Sequence, residues 1–470
     1  MPNLSLHPDR LFPADHATRV VARELYGSVA DLPIISPHGH CDPAWFAEDT
    51  AFTNPAELLI TPDHYVFRML HSTGLPLEEL GIRTLDGTPV ETDPRAVWRR
   101  FAERYHLFRG TPSRLWLDHV FAKVFHLERR LSAETADLYY DAITEALATP
   151  AFRPRALFDQ FNIEVLATTE SPLDLLTRHA AIRNSGWGGR VITTFRPDQV
   201  LDPDQPGFGA RLTLLGELTG EDAHSYKGYL RALEARRAAF RAAGATATDH
   251  GHPTASTFDL NPPEAEALFR RISHGQFTAG EAEHFRGHML MQMARMSLDD
   301  GMVMQIHPGV ARNHDAATLR RFGHDKGADV PVATEYVQAL KPLLNRYGAD
   351  PRLTLIVFTL DETTYSRELA PLAGHYPAMK LGPPWWFHDS PEGMRRFREQ
   401  ATETAGFYNT VGFNDDTRAF LSIPARHDVA RRMDAAYLAK LVVEHRLELD
   451  EAHELARGLA YDFAKAAYKL

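Results

Sequence analysis

Between about residue 160 and residue 413 the chain repeats one alternation. A short apolar run rich in β-branched residues is followed by a longer stretch with helical spacing. The apolar runs are Asn162–Glu170, Val191–Arg196, Ala245–His250, Met302–His307, Leu353–Thr359, Ala378–Gly382 and Asn409–Phe413. The stretches between them include Ser171–Arg183, Tyr226–Ala243, Ala279–Met296, Val332–Tyr347 and Ser390–Glu403. An eighth run, Leu32–Ser36, lies well upstream. Strands alternating with helices predict a parallel sheet, and eight repeats predict an α/β chain closed as a (β/α)8 barrel.

Residues 1–53 hold a leading helix capped by Asp15 and the first strand. Residues 54–150 carry helix signals and few strand signals, and predict a helical insertion after the first strand. Thr61-Pro62-Asp63 opens one of its helices, with Thr61 as the cap. Others are expected over Pro94–Tyr105, Ser113–Phe125 and Ala133–Ala148. Residues 151–470 supply the rest of the barrel and C-terminal helices.

Polar residues collect at the C-terminal ends of the expected strands, which in a barrel share one mouth. The first strand runs into His38-Gly39-His40-Cys41. Residues at i and i+2 of a strand point the same way, so the two imidazoles can converge on one borderline cation such as zinc. Asp416, two residues before Arg418 at the end of the eighth strand, is the expected third ligand. Asp415 then points the other way. His307, ending the fifth strand, is a further ligand, an acid/base, or a histidine bonded beneath the turn at Pro308-Gly309. Asp249-His250-Gly251-His252 also has metal-like spacing but ranks below the first pair, because spacing alone recurs by chance. Cys41 is read as packing.

The net charge of −11 argues against a nucleic-acid surface, and means that an anionic ligand would need locally placed arginines. One cysteine in 470 residues excludes an internal disulfide framework and fits a reducing compartment. The N-terminal residues lack the apolar core of a signal peptide, and no apolar run is long enough to span a bilayer. The expectation is a cytoplasmic enzyme or binding protein with a small-molecule substrate, no nucleic-acid partner and no membrane. Homo-oligomerisation is compatible with the sequence, which fixes no oligomeric state.

Seven stretches together resemble the uronate isomerases, a branch of the amidohydrolase superfamily. They are Pro37–His40, Asp63–Arg68, Thr193–Asp198, Asp249–Gly251, Gln305–His307 with Arg312-Asn313, Trp385–Phe387 and Asp416–Arg418. The resemblance implies a distorted (β/α)8 barrel of the metal-dependent hydrolase type and one divalent metal ion, commonly zinc. It implies interconversion of D-glucuronate with D-fructuronate and of D-galacturonate with D-tagaturonate. The fourth strand offers Asp249-His250 and no lysine of the kind that bridges two metals in related hydrolases, which favours a mononuclear active site.

Aldose–ketose isomerisation through an enediol needs a base near C2, a proton donor for the carbonyl oxygen, and stabilisation of negative charge on O1 and O2. A metal held by His38, His40 and Asp416 would polarise those oxygens. Asp416, Tyr65 and His307 are the candidate proton carriers. By resemblance, His64 and Tyr65 reach the substrate from the helical insertion. Arg196 and Arg418, with Arg312 third, are the expected partners of the sugar carboxylate, which guanidinium binds with two parallel bonds. Trp386 is favoured over Trp385 as a shield against water. The rival readings are a mononuclear metal-dependent hydrolase on the same barrel and a non-catalytic sugar-acid binding protein.

Overall fold

The computed structural model describes residues 3–470. Seven strands form one all-parallel sheet in chain order: β1 (Ile34–Ser36), β2 (Ile163–Glu170), β3 (Val191–Phe195), β4 (Ala247–His250), β5 (Val303–Ile306), β8 (Leu355–Val357) and β9 (Met379–Leu381). The remaining two strands, β6 (Val310–Ala311) and β7 (Val330–Pro331), make a small antiparallel ribbon between β5 and β8. Every residue of β3, β4 and β5 is buried, because helices cover the sheet. This explains why these strands read as apolar runs rather than alternating ones.

The eighth expected strand does not form as such. Only Thr410 bridges Leu381 in parallel, while the Leu381 amide donates to Asn409 and the Val411 amide to Leu381. Gly412 ends the extended run: its φ is +73°, and a Cβ there would meet the Leu459 carbonyl oxygen at 2.8 Å. Beyond it the chain reaches back to the other edge of the sheet, where the His40 amide donates to the Thr417 carbonyl at 2.9 Å. The result is a curled, seven-stranded parallel sheet whose two edges are linked by the segment carrying Asp415–Arg418.

Helix His16–Val29 is capped by Asp15, whose side chain accepts from the Thr18 amide. It packs Ala22, Leu25 and Val29 against Leu438, Ala439 and Leu441 of helix Ile423–Val443. From that long helix, Arg431 donates to the carbonyls of Ala30, Leu32 and Pro33 and so fixes the approach to β1. Two expected helices are shorter than the sequence suggests. Ser171–Arg183 is helical only over Thr177–Asn184, after Leu176 takes the left-handed conformation. In Val332–Tyr347 the helix covers only Lys341–Tyr347, because the first half carries side-chain and carbonyl bonds back to Gly309, Asp361 and Glu368.

Between β1 and β2 the chain is helical, and its interior is continuous with that of the sheet. Trp98, Phe101, Phe121 and Tyr139 belong to the same buried cluster as Ile34, Ile163, Leu166 and Val191. One cap differs from expectation. The helix His64–His71 is capped by Asp63, whose Oδ1 accepts from the Tyr65 amide at 2.8 Å. Thr61 instead closes the preceding turn, its amide bonding to the Ala56 carbonyl. Among the described residues no helix is long and apolar enough to cross a membrane.

Candidate active site

His38 and His40 lie beyond β1, in the loop that follows Ser36, so the loop rather than strand alternation sets their direction. Gly39 makes that loop. A Cβ at Gly39 would sit 3.3 Å from the Thr417 carbonyl oxygen and 3.4 Å from that of Ala167, so the backbone is wedged between the linking segment and β2. The Thr169 hydroxyl donates to the Gly39 carbonyl at 2.9 Å and holds it there. The rings stand nearly perpendicular, at 86° with centroids 5.2 Å apart. Their Nε2 atoms lie 3.6 Å (His38) and 3.1 Å (His40) from Asp416 Oδ1.

Asp416 has φ +45°, and its amide donates to the Asn414 side chain. Its other oxygen, Oδ2, accepts from the Trp385 indole N–H. Burial would raise this carboxyl, but contact with His40, the charge of His38 and the Trp385 bond outweigh it and hold the group below the ordinary carboxylate range. Burial also pulls His40 down to about 4, against the pull of Asp416, so its imidazole is neutral at pH 7. Asp416 Oδ1 and His38 Nδ1 are buried without a hydrogen-bond partner in the protein. One ligand atom from each of His38, His40 and Asp416 fits within 4.8 Å of the others. Two imidazole donors and one carboxylate in that space suit a divalent cation of borderline softness.

A second layer lies beneath. His307 Nε2 is 2.8 Å from Asp249 Oδ1, and its ring packs edge-on to Trp385 with centroids 4.8 Å apart. Asp249 Oδ2 faces His38 Nε2 at 3.9 Å and Arg196 Nη1 at 3.3 Å. Burial would raise Asp249, yet His307, His38 and Arg196 hold it well below the usual range. Arg196 also donates from Nε to Asp198 at 2.9 Å.

The outer wall is cationic. Arg418 donates to Asp325 at 3.4 Å. Arg312 lies 3.5 Å from Asp329 and 4.0 Å from Asp325, with its guanidinium over the Trp386 ring. Desolvation, then the charge of Arg196, lowers Arg312. Helix His64–His71 supplies the last side. His64 and Tyr65 stack on each other, His64 packs edge-on to Trp386, and Tyr65 packs edge-on to Trp116. Burial lifts the Tyr65 phenol well above its ordinary value and drops His64 to about 3. Arg426 lies over both Trp116 and Tyr65 and bonds Asp389 at 3.0 Å.

One pocket is therefore walled by His40, His64, Tyr65, Arg196, Arg312, Trp386, Asp416 and Arg418. A smaller adjoining hollow reaches His38 and His307. The residues singled out for ligation, proton transfer and substrate binding meet here, in arrangements that differ in detail, whereas His250 and His252 line neither space. His307 faces Asp249 and does not join the cluster of His38, His40 and Asp416. Asp415 turns away as expected, its carboxylate 3.0 Å from His427. Cys41 is buried, with its sulfur 3.5 Å from the Thr417 carbonyl oxygen. Asp325 and Arg426 are not among the sequence candidates, and Trp385 ranks there below Trp386. Trp385 bonds Asp416, whereas the sequence reading favoured its neighbour.

The glucuronate isomerase family profile matches residues 15–468. A uronate isomerase from Rhizorhabdus wittichii is 69% identical over 467 residues, 99% of each chain. The crystal structure of glucuronate isomerase from Caulobacter crescentus superimposes with a TM-score of 0.98 at 63% identity, covering 99% of this chain and 97% of that one. The uronate isomerase structure from Thermotoga maritima gives 0.92 at 26% identity, covering 99% of both chains.

Proposed function

The chain belongs to the glucuronate isomerase family, and we infer that it interconverts D-glucuronate with D-fructuronate and D-galacturonate with D-tagaturonate. One observation carries the residue-level reading: a cation-ligating triad and three arginines line the same pocket. A sugar acid carries the complementary groups at opposite ends, a carbonyl with its neighbouring hydroxyl at C1–C2 and a carboxylate at C6. We read the curled sheet with its linking segment as a distorted (β/α)8 barrel, and the helical stretch after β1 as an insertion over its mouth.

His38, His40 and Asp416 are the residues that would hold one divalent ion, for which the donor set suggests zinc. That ion would supply Lewis-acid polarisation of the C1 and C2 oxygens. The protein's own groups handle protons and charge. Asp416, ionised and facing the pocket, is placed to accept a proton from C2 and return it to C1. Tyr65, kept neutral by burial, is a phenol able to donate to the carbonyl oxygen. His307, held by Asp249, is the further acid/base. Arg196, Arg312 and Arg418 would pair the C6 carboxylate. His64 and Trp386 form the wall that orients the chain of hydroxyls. A simple metal-dependent hydrolase has no use for the arginines and Tyr65 together. One free, buried cysteine is consistent with a cytoplasmic setting.

The test is direct. Incubation with D-glucuronate, coupled to a dehydrogenase that oxidises or reduces the keto product, should give turnover that requires the full enzyme. No turnover with either glucuronate or galacturonate, in metal-replete enzyme, would overturn the substrate assignment.

A further inference from the structure

The His-Gly-His pattern occurs twice, and the second copy lies outside the pocket chemistry described above. Strand β4 ends at His250, with Asp249 turned toward His38 and His307. Side chains alternate along a strand, so His250 points to the opposite side from Asp249. There it meets His252 and Asp198. One ligand atom from each of Asp198, His250 and His252 lies within 4.8 Å of the other two, and all three residues are buried.

Three independent features mark this as a built site. The first is the state of the imidazoles. His252 is 5% exposed, and neither of its ring nitrogens has a hydrogen-bond partner in the protein. His250 is 1% exposed and uses only Nε2, 3.0 Å from the Thr248 hydroxyl, leaving Nδ1 without one. Buried polar atoms without partners are costly and uncommon, and three in one cluster call for a ligand: each ring can turn one nitrogen lone pair to a cation, and the remaining N–H of His252 can bond a water. The second is orientation. A hydrogen-bond partner on the far nitrogen of a ligating histidine fixes its ring, and the Thr248 hydroxyl stands in that position. The third is Gly251. A Cβ there would lie 2.6 Å from Arg196 Nη2, 2.8 Å from His307 Cε1 and 2.9 Å from Asp198 Oδ2. Its amide donates to both oxygens of Asp198 at 3.1 Å, which holds the carboxylate beside the two rings.

We propose that Asp198, His250 and His252 form a second divalent-cation site, separate from the one at His38, His40 and Asp416. Two imidazoles and one carboxylate select a borderline ion of the zinc type over magnesium or calcium. The loop side of Asp198 and Gly251 borders a wide surface cleft, through which an ion and a completing water can arrive. Arg196 stands between the two sites, with Nε on Asp198 and Nη1 toward Asp249. The second ion is thus a structural one, which ties the end of β4 to the loop after β3 and sets the posture of that arginine.

The experiment is metal stoichiometry on the full chain. Enzyme stripped with a chelator is titrated with Co²⁺, followed by its visible absorption, and reloaded with Zn²⁺ for elemental analysis after gel filtration. Two ions per chain are expected for the wild type, and one each for His252→Gln and His40→Asn. One ion in the wild type, lost in His40→Asn and kept in His252→Gln, would overturn the second site and leave the first intact. One ion lost in His252→Gln and kept in His40→Asn would support the second site and remove the metal from the first. Two ions retained in His252→Gln would also overturn the proposal. If His252→Gln does not fold, Asp198→Asn takes its place with the same expectations.

Discussion

The Trp385 indole offers a narrow test of how the pocket holds its carboxylate. Asp416 has two oxygens with different duties: Oδ1 faces both histidines, and Oδ2 accepts the Trp385 N–H. Trp385→Phe removes that donor while retaining an aromatic ring against His307. A hydrogen bond to a charged acceptor contributes roughly 1.5–3 kcal/mol. At about 1.4 kcal/mol per decade, that is about tenfold to about 150-fold in an equilibrium constant. Loss of an outer partner of a metal ligand typically costs 10–100-fold in metal affinity or activity, which is the same range. The assay is competition for Zn²⁺ against a chromophoric chelator, read beside kcat/KM for glucuronate. Metal affinity and kcat/KM should each fall by at least about tenfold, with far-ultraviolet circular dichroism unchanged. A variant with wild-type metal affinity and wild-type kinetics would refute the reasoning, because Asp416 would then be oriented without its indole partner.

Arg196→Met and Arg418→Met should each lower kcat/KM for uronates by at least about tenfold, and unchanged kinetics in both would move the carboxylate site elsewhere. Tyr65→Phe should keep its fold and metal content while isomerisation falls by roughly 10²–10⁴-fold; full activity would remove the phenol from the mechanism. Glu170 gives a pH test of stability. Burial raises its pKa to about 7, against the hydrogen bonds of Thr193 and Thr168. Below about pH 4.5 the group is protonated folded and unfolded alike; above that the unfolded chain ionises first, so stability is lost as pH rises toward 7. The loss reaches up to about 3 kcal/mol, so Glu170→Gln should melt higher than wild type at pH 8 and close to it near pH 4.5. A Gln variant that melts lower at pH 8 would show that the carboxylate is stabilised there.

Much of this architecture was legible because parallel strands buried on both faces leave strong apolar runs, and because their ends carry the chemistry. His38, His40 and Asp416 could be paired from sequence since the loop after β1 and the segment beyond Gly412 meet where the curled sheet closes on itself. What the sequence did not disclose depends on single contacts. Gly412 breaks the last strand because the C-terminal helical turn at Leu459 crowds it, a neighbour 47 positions away in the chain. The helix carrying Tyr65 is capped by Asp63 rather than Thr61, whose hydroxyl turns instead to the Leu80 carbonyl. Asp325 escaped notice for a similar reason. It sits in the loop after helix Ala316–Phe322, with left-handed backbone at Asp325 and Gly327, which carries no periodicity to read.

That loop has a bearing on affinity. Arg418 and Arg312 face a carboxylate of the protein itself, that of Asp325. On the assigned role of these arginines, an arriving sugar acid trades one carboxylate for another instead of meeting bare cations. The exchange leaves the number of ion pairs in the pocket nearly constant, so little Coulomb energy is available to tighten binding. Discrimination between epimeric uronates must then come from the hydroxyl positions that His64, Trp386 and the cation-binding triad can sense. It also follows that binding should respond weakly to added salt, in spite of a strongly charged pocket and an anionic substrate.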